Sequence, residues 1–243
     1  MNIDIQNHQK SARLICRIKN QCIDYIRDNK HCSEYDVTQY ILREFEKRNL
    51  RTDYPPMVAF RENTSHIHYK APKRNSKTLK NNSLIMIDLW AGLKIPKGMF
   101  ADITWMYYFG KKIPKRMHDV FIFVKNARNK ALKYLENTLG KHHLPTGREI
   151  HLSIKKYLDE TKYSDNRNNF TGHCIGYSSP HGVGRDLNEN SRKNIFLNQP
   201  YTLEPEINFP GEFGIRLELD FYIDKDYKIN ITTEKQEKIT LIR

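Results

Sequence analysis

The sequence lacks any long hydrophobic run. No segment approaches the roughly 18 consecutive apolar residues that a membrane-spanning helix requires, so no membrane partner is expected. The N-terminal stretch MNIDIQNHQKSARLIC becomes polar and charged at once, without the apolar core of a secretory signal. From these two absences we expect a protein of the cytoplasm.

Cysteine is scarce and has no paired spacing. The four cysteines are Cys16, Cys22, Cys32 and Cys174, and no two of them form a CxxC pair. This excludes a zinc knuckle and a thioredoxin-like redox motif. Three of the four fall within a helical pattern near the N-terminus, where small buried thiols of a reduced protein are the expected outcome.

Acidic residues are outnumbered. The chain has 41 Lys and Arg against 28 Asp and Glu, which gives a net charge of +13. Such a balance can indicate an acidic partner, nucleic acid above all. Here the basic residues are spread along the chain, and the densest stretch, KAPKRNSKTLK at 70–80, is short. A solvated basic surface is therefore favoured over nucleic-acid binding as the main function.

Neither a short repeat nor a low-complexity linker divides the 243 residues. Hydrophobic residues make up 38% and aromatic residues 11% of the chain, enough for a substantial core. We therefore predict a single α+β domain over residues 1–243, with helices and strands in two successive sets.

Helical periodicity and capping residues predict four helices. Apolar residues recur at spacings of three and four over 7–29, and a second helix runs to about Arg48. A third follows Pro114, and a fourth contains EIHLSIKKYL. Capping-box patterns mark two of the starts, at Ser33–Asp36 and Thr146–Glu149.

Extended segments are predicted at 57–60, 66–69, 83–90 and 101–109. The polar section 161–172 is predicted to be a loop. The segment FGIRLELDFYI at 213–223 alternates apolar and polar residues throughout, which predicts one unbroken strand.

Four acidic residues interrupt these apolar strands, namely Asp88, Asp102, Glu204 and Glu218. An unpaired buried carboxylate costs several kcal/mol, so something positive must compensate it. One or two divalent metal ions would do so most strongly. The alternative for each acid alone is a salt bridge or a solvated face, and Asp220 could be such an acid, paired with Arg216.

A glycine-rich segment, FTGHCIGYSSPHGVG, supplies two histidines. His173 follows Gly172, and His181 lies eight residues further on. Glycine permits the tight backbone paths that such a turn requires. An imidazole nitrogen is a suitable ligand for zinc, manganese or cobalt. One histidine as a ligand and the other facing substrate is the interpretation we favour.

From Lys10 to Ile223 the chain resembles the creatinase/aminopeptidase-type metallopeptidases. The resemblance runs through PPMVAFRENTSHIHY, IDLWAGLKIPKGMFADITW, GHCIG, TLEPE and FGIRLELD, in the order of the family's motifs. It is nearest to the proline-specific branch, chiefly in the HY dipeptide and in GEFGIRLE. It implies a pita-bread fold, a catalytic domain with a central antiparallel sheet flanked by helices.

The resemblance also implies two metal ions in a central cleft. Asp102 and Glu218 would bridge both ions, Asp88 would complete one site, and His173 with Glu204 the other. Manganese, cobalt, iron or zinc would suit these ligands.

The remaining roles are implied in the same way. Glu204 would also shuttle a proton during hydrolysis of the peptide bond. His68 and His181 would contact the substrate, while Arg216 and Thr104 would contact the carboxylates. The substrate would be a short peptide or a protein N-terminus, and a homodimer is possible.

Some features depart from the family's pattern. The interval from Asp88 to Asp102 is 14 residues, and the interval from His173 to His181 is eight residues. Both are longer than is usual in the family. Glu206 stands where glycine usually follows the EP dipeptide, and the extra N-terminal domain of the proline-specific enzymes is not expected in this chain. A methionine aminopeptidase and a metal-free pseudo-peptidase that serves as a binding module remain as alternatives.

Overall fold

The computed structural model describes residues 3–160, 163–167 and 170–243. Helix α1 (Ile3–Asp28) begins earlier than predicted, and α2 (Glu34–Lys47) begins at the capping box of Ser33 and Asp36. The long α3 (Lys115–Leu139) follows Pro114, and α4 (Gly147–Asp159) begins at the capping box of Thr146 and Glu149. The four predicted helices are therefore confirmed. No helix in the described part of the chain is long and apolar enough to cross a membrane.

In the described residues, the strands form one large sheet and three small ones. In the large sheet, β1 (Leu50–Arg51) and β2 (Met57–Phe60) both pair with β3 (Ser83–Leu93), β3 pairs with β4 (Phe100–Phe109), and β12 (Thr240–Ile242) pairs with β4. All of these pairs are antiparallel except the last.

The three small sheets consist of antiparallel pairs. They comprise β7 (Tyr201–Leu203), β10 (Leu219–Ile223) and β11 (Ile229–Ile231); β5 (Phe170–Gly172) with β6 (Leu187–Asn188); and β8 (Glu206–Phe209) with β9 (Phe213–Arg216).

Side-chain alternation along β3 and β4 separates two hydrophobic cores. Alternate residues such as Ile87 and Ile103 pack against α1 and α2. Residues of the opposite face, such as Met86 and Met106, pack with α3, α4 and β9. Residues 88, 102 and 104 lie on this second face, so their polar side chains point between the large sheet and the C-terminal strands. The four cysteines are buried and unbridged, as predicted.

Two strand predictions were wrong. The segment 66–69 forms a turn after a short 3-10 helix (Arg61–Ser65), and His68 adopts a left-handed backbone conformation with φ 57°. The segment 213–223 is interrupted at Leu217 and Glu218, because β9 pairs with β8 whereas β10 pairs with β7 and β11. The predicted loop at 161–172 contains a 3-10 turn and β5, and its residues 161–162 and 168–169 lie outside the described residues.

Candidate metal centre

The large sheet places the two aspartates. Asp88 in β3 lies opposite Thr104 in β4, and Asp102 lies opposite Trp90. Asp88 and Asp102 are therefore diagonal neighbours on one face of an antiparallel pair, and the charge of Asp88 acts on Asp102. Both are almost fully buried, with 6% and 5% of their surface exposed. The residues between β3 and β4 form the connecting loop, which accounts for the long interval in the sequence.

Glu218 lies at the interruption between β9 and β10. The backbone N–H of Leu217, the residue before it, donates a hydrogen bond to the carbonyl of Pro205 at 3.3 Å. The side chain of Glu218 is buried and accepts a 2.7 Å hydrogen bond from Oγ1 of Thr104. The break in the strand therefore directs a carboxylate onto the face of β4 that carries Asp102.

Thr202 in β7 organises the other two ligand-type residues. Its Oγ1 accepts a hydrogen bond from the backbone N–H of His173 at 3.0 Å and donates to Oε1 of Glu204 at 2.8 Å. His173 Nδ1 lies 3.0 Å from the carbonyl of Cys174, and a carbonyl can only accept. Nδ1 therefore carries the proton and Nε2 has a free lone pair, the usual arrangement of a metal-ligating histidine.

The ligand atoms converge on a common point. Nε2 of His173 lies 3.4 Å from Oε1 of Glu204 and 3.8 Å from Oδ2 of Asp102. One ligand atom from each of Asp102, His173 and Glu218 lies within 4.8 Å of the others. Asp88 lines the same cavity as these residues. The five predicted ligand residues thus surround one space.

Burial and repulsion act strongly on these groups. Burial raises the pKa of Asp88 to about 6, against the opposing charge of Arg216. Burial, followed by the neighbouring carboxylates, raises the pKa of Asp102 and of Glu218 well above the ordinary range. Burial lowers the pKa of His173 to about 4 and leaves it neutral at pH 7. A neutral imidazole among clustered carboxylates is the form that binds metal.

A single arginine offsets part of this charge. Arg216 Nη1 donates to Oδ2 of Asp88 at 2.7 Å, and its Nε donates to Oε2 of Glu206 at 2.8 Å. Asp220 does not pair with Arg216, contrary to the alternative that the sequence suggested. Its Oδ2 accepts the backbone N–H of Asp102 at 2.8 Å, because β10 approaches β4 beyond the interruption.

The residues fit a divalent metal site. Oδ1 of Asp102 is buried and has no hydrogen-bond partner among the described residues. Arg216 forms its direct ion pairs with Asp88 and Glu206. The buried carboxyls of Asp102 and Glu218 must therefore either hold a proton or share a cation, and a divalent metal ion would stabilise their charged forms. Oxygen ligands with one imidazole are compatible with manganese, cobalt, iron or zinc.

A cavity of about 720 Å³ opens above the carboxylates. His181 lies in it with its ring centroid 4.0 Å from that of His173, and His68 is among the groups that influence the pKa of His181. Burial lowers the pKa of His181. Beside the carboxylates and histidines, the wall carries the charged residues Asp53, Lys70 and Asp186 and a set of aromatic and apolar residues, namely Tyr54, Pro55, Met57, Ile67, Tyr69, Trp90, Phe170 and Pro180.

Sequence reasoning assigned no role at this site to Glu206 or to Asp53. Glu206 is buried and faces Arg216 across the β8–β9 pair. Asp53 lines the cavity and accepts a 2.7 Å hydrogen bond from Nε1 of Trp90. The alternating pattern around Glu206 was a usable signal for a cross-strand ion pair with Arg216. Nothing local in the sequence marks Asp53, because Trp90 belongs to a distant strand.

Comparison with known proteins identifies the family to which this chain belongs. The profile of metallopeptidase family M24 matches residues 6–225, most of the chain. The chain belongs to metallopeptidase family M24. This confirms the resemblance to the creatinase/aminopeptidase metallopeptidases. A relative, the putative dipeptidase YkvY of Bacillus subtilis, is 26% identical over 216 residues, covering 86% of this chain and 54% of that protein.

Solved structures share the fold of this M24 protein. The X-Pro aminopeptidase of Thermotoga maritima has a TM-score of 0.83 at 21% identity, covering 98% of this chain and 62% of that one. The Xaa-Pro dipeptidase of Bacillus anthracis has the same TM-score and identity, covering 99% and 63%. The pita-bread fold is thereby confirmed, and this chain spans less than two thirds of the length of these relatives.

Proposed function

We propose that the chain is a dinuclear metal-dependent aminopeptidase that hydrolyses the N-terminal peptide bond of short peptides, most readily before proline. The observation that carries the proposal is the convergence of Asp102, His173 and Glu218 beneath the cavity, each offering a ligand atom within 4.8 Å of the others. Membership of the M24 family and the likeness to proline-specific structures support the choice of reaction.

The ligands divide between two sites in this proposal. Asp102 and Glu218 would bridge both ions, Asp88 would complete one site, and His173 with Glu204 would complete the other. Bound divalent ions would supply Lewis acidity toward the peptide carbonyl and ease the deprotonation of water. Thr104 would fix Glu218 through its 2.7 Å hydrogen bond, and Arg216 would fix Asp88.

Glu204 is the proposed proton carrier. The Thr202 hydroxyl engages its Oε1, so Oε2 would take the proton from water and deliver it to the leaving amine. Burial raises the pKa of Glu204, which brings it closer to the range useful for proton transfer near neutral pH.

His68 and His181 are the proposed substrate contacts. Both line the cavity beside the carboxylates. The aromatic and apolar wall, including Tyr54 and Trp90, would receive the ring of a proline at the second position. Such a wall also accepts other apolar side chains, so matched peptides with proline or alanine at the second position measure the preference directly.

The test uses purified protein loaded in turn with manganese, cobalt, zinc and iron. Its metal content is measured, and it is then assayed on matched peptides with proline or alanine at the second position and on peptides that begin with methionine. We expect cleavage before proline that stops with a chelator. Preferential release of methionine would establish the methionine aminopeptidase instead. No cleavage by a fully loaded protein would favour the pseudo-peptidase.

A further inference from the structure

A buried carboxylate outside the metal centre anchors the chain segment that forms one wall of the cavity. Glu34, the first residue of α2, is fully buried and forms no ion pair with a described residue. Its Oε1 accepts hydrogen bonds from the N–H of Phe60 at 2.7 Å and from Nδ2 of Asn63 at 2.9 Å. Its Oε2 accepts from the hydroxyl of Tyr69 at 2.7 Å and from the N–H of Lys77 at 3.1 Å.

These four partners all belong to one segment, residues 60–77, which carries the cavity-lining turn at 67–70. Asn63 Nδ2 also donates to the hydroxyl of Tyr69 at 2.8 Å, so Glu34, Asn63 and Tyr69 form a closed network. Hydrogen bonds to a carboxylate are shorter and stronger than neutral ones, and the start of a helix favours negative charge. Glu34 therefore fixes this segment firmly relative to α2.

The neighbour of Tyr69 needs such support. His68 has φ 57°, a left-handed conformation that is unfavourable for a non-glycine residue and persists only where the surroundings impose it. On its other side, the segment is packed against β9, where a Cβ added at Gly214 would lie 2.4 Å from the carbonyl of Thr64. The turn is thus held from α2 and from β9, and His68 projects from it at the cavity.

We propose that Glu34 is a positioning residue: through Tyr69 and Asn63 it sets the place of His68 at the cavity wall. This inference rests on the proposed function in so far as His68 is taken to contact substrate. Glu34 itself lies outside the cavity lining and touches no proposed ligand among its described contacts. Its effect on turnover should therefore pass through His68 and leave metal binding intact.

The test is a double-mutant cycle with Tyr69→Phe and His68→Ala. Tyr69→Phe removes the hydroxyl that Glu34 binds, and His68→Ala removes the imidazole ring through which that hydroxyl is proposed to act. Tyr69→Phe should lower kcat/KM about tenfold in the wild-type background and less than about twofold in the His68→Ala background. Tyr107→Phe is the matched control. Its hydroxyl is buried and donates to the carbonyl of Lys19, on the helix-facing side of β4.

Glu34→Gln supplies the second perturbation, because an amide places a donor where an oxygen now accepts two hydrogen bonds. It should lower kcat/KM as Tyr69→Phe does, with unchanged metal content. Glu44→Gln is its control, since Glu44 is a buried acid of the same helix paired with Lys47 and Arg48. Equal losses from Tyr69→Phe in both backgrounds, or loss of metal in Glu34→Gln, would overturn the inference.

A second readout separates this inference from the proposed function. The ring signal of His68 in a histidine-labelled NMR spectrum, assigned from His68→Ala, should shift in Tyr69→Phe and Glu34→Gln and stay in place in Tyr107→Phe. If the metal-loaded wild type cleaves no peptide, the proposed function fails, and this shift still decides the inference. An unmoved His68 signal in both variants would refute it.

Discussion

Thr104 and Glu218 join two parts of the chain that are far apart in sequence. The Thr104 hydroxyl donates a 2.7 Å hydrogen bond to Oε2 of Glu218, in a site where both side chains are buried. The bond connects β4 with the interruption between β9 and β10. It orients a carboxylate whose pKa burial raises well above the ordinary range, and it favours the charged form that a metal ligand needs.

Replacing Thr104 by valine tests this connection. The substitution keeps the shape and removes the donor, so Glu218 becomes less well oriented and its charged form less stable. We expect metal affinity, measured by titration calorimetry of the metal-free protein, to fall about 10- to 100-fold. Thr138→Val on α3, which removes a hydroxyl bonded to the carbonyl of Tyr134, is the control. Equal affinity in the two variants would show that the hydrogen bond has no role in the site.

Asp102→Asn should have opposite effects on the metal-free and metal-loaded proteins. Without metal, burial first, and then Asp88 and Asp220, raise the pKa of Asp102 and make its charged form unfavourable, so the neutral amide should raise the melting temperature. With metal, the substitution removes a proposed bridging ligand. Activity should then fall more than about 100-fold, because about 100-fold is the largest loss expected when a residue that only supports a ligand is replaced. Asp119→Asn, at a partly exposed acid paired with Lys115, is the control for loss of charge. A lower melting temperature without metal would contradict the argument.

His68→Ala and His181→Ala should separate substrate contacts from ligands. We expect both variants to retain the metal content of the wild type while turnover falls about 10- to 100-fold, the range expected when a substrate-orienting group is lost. Elemental analysis and kinetics on the same preparations provide the measurement. Loss of a metal ion in either variant would make that histidine a ligand.

Glu206→Gln should weaken metal binding indirectly. Arg216 now divides its guanidinium between Glu206 and Asp88. Without the charge of Glu206, Arg216 would interact more strongly with Asp88 and compete with metal for that carboxylate. We expect a loss of metal affinity of about tenfold by calorimetry. Glu44→Gln again controls for loss of a buried acid, and an unchanged affinity would show that Glu206 serves only the β8–β9 pair.

His151 gives a pH-dependent test of stability. Burial lowers its pKa, and its Nδ1 lies 2.8 Å from Oγ1 of Thr171. Near and below the ordinary histidine pKa of about 6.5, the unfolded state therefore binds more protons than the folded state. The free energy of unfolding consequently falls as pH decreases from 7.5 to 5.5. His151→Gln should reduce that dependence by up to about 1.4 kcal/mol per pH unit, measured by urea unfolding. His143→Gln, at an exposed histidine, should leave the slope closer to the wild-type value.

Local sequence was sufficient for much of the fold. The spacing of Ala12, Ile15 and Ile18 predicted a buried helical face, and all three are fully buried in α1. The capping boxes at Ser33 and Thr146 marked helix starts correctly, because such caps depend on residues only three positions apart. Local patterns failed at 66–69 and at 217–218, where distant partners decide the backbone path.

The sequence by itself determined the kinds of side chain available: carboxylates in apolar strands, a histidine in a glycine-rich segment, and the helices around them. Only the tertiary structure decided which of these groups meet. Arg216 pairs with Asp88 and Glu206 rather than Asp220, because the chain changes partner strands between β9 and β10. His68 faces the cavity because Glu34, in a different element, holds its turn. Strand partners and contacts across elements depend on long-range register, which no local spacing specifies.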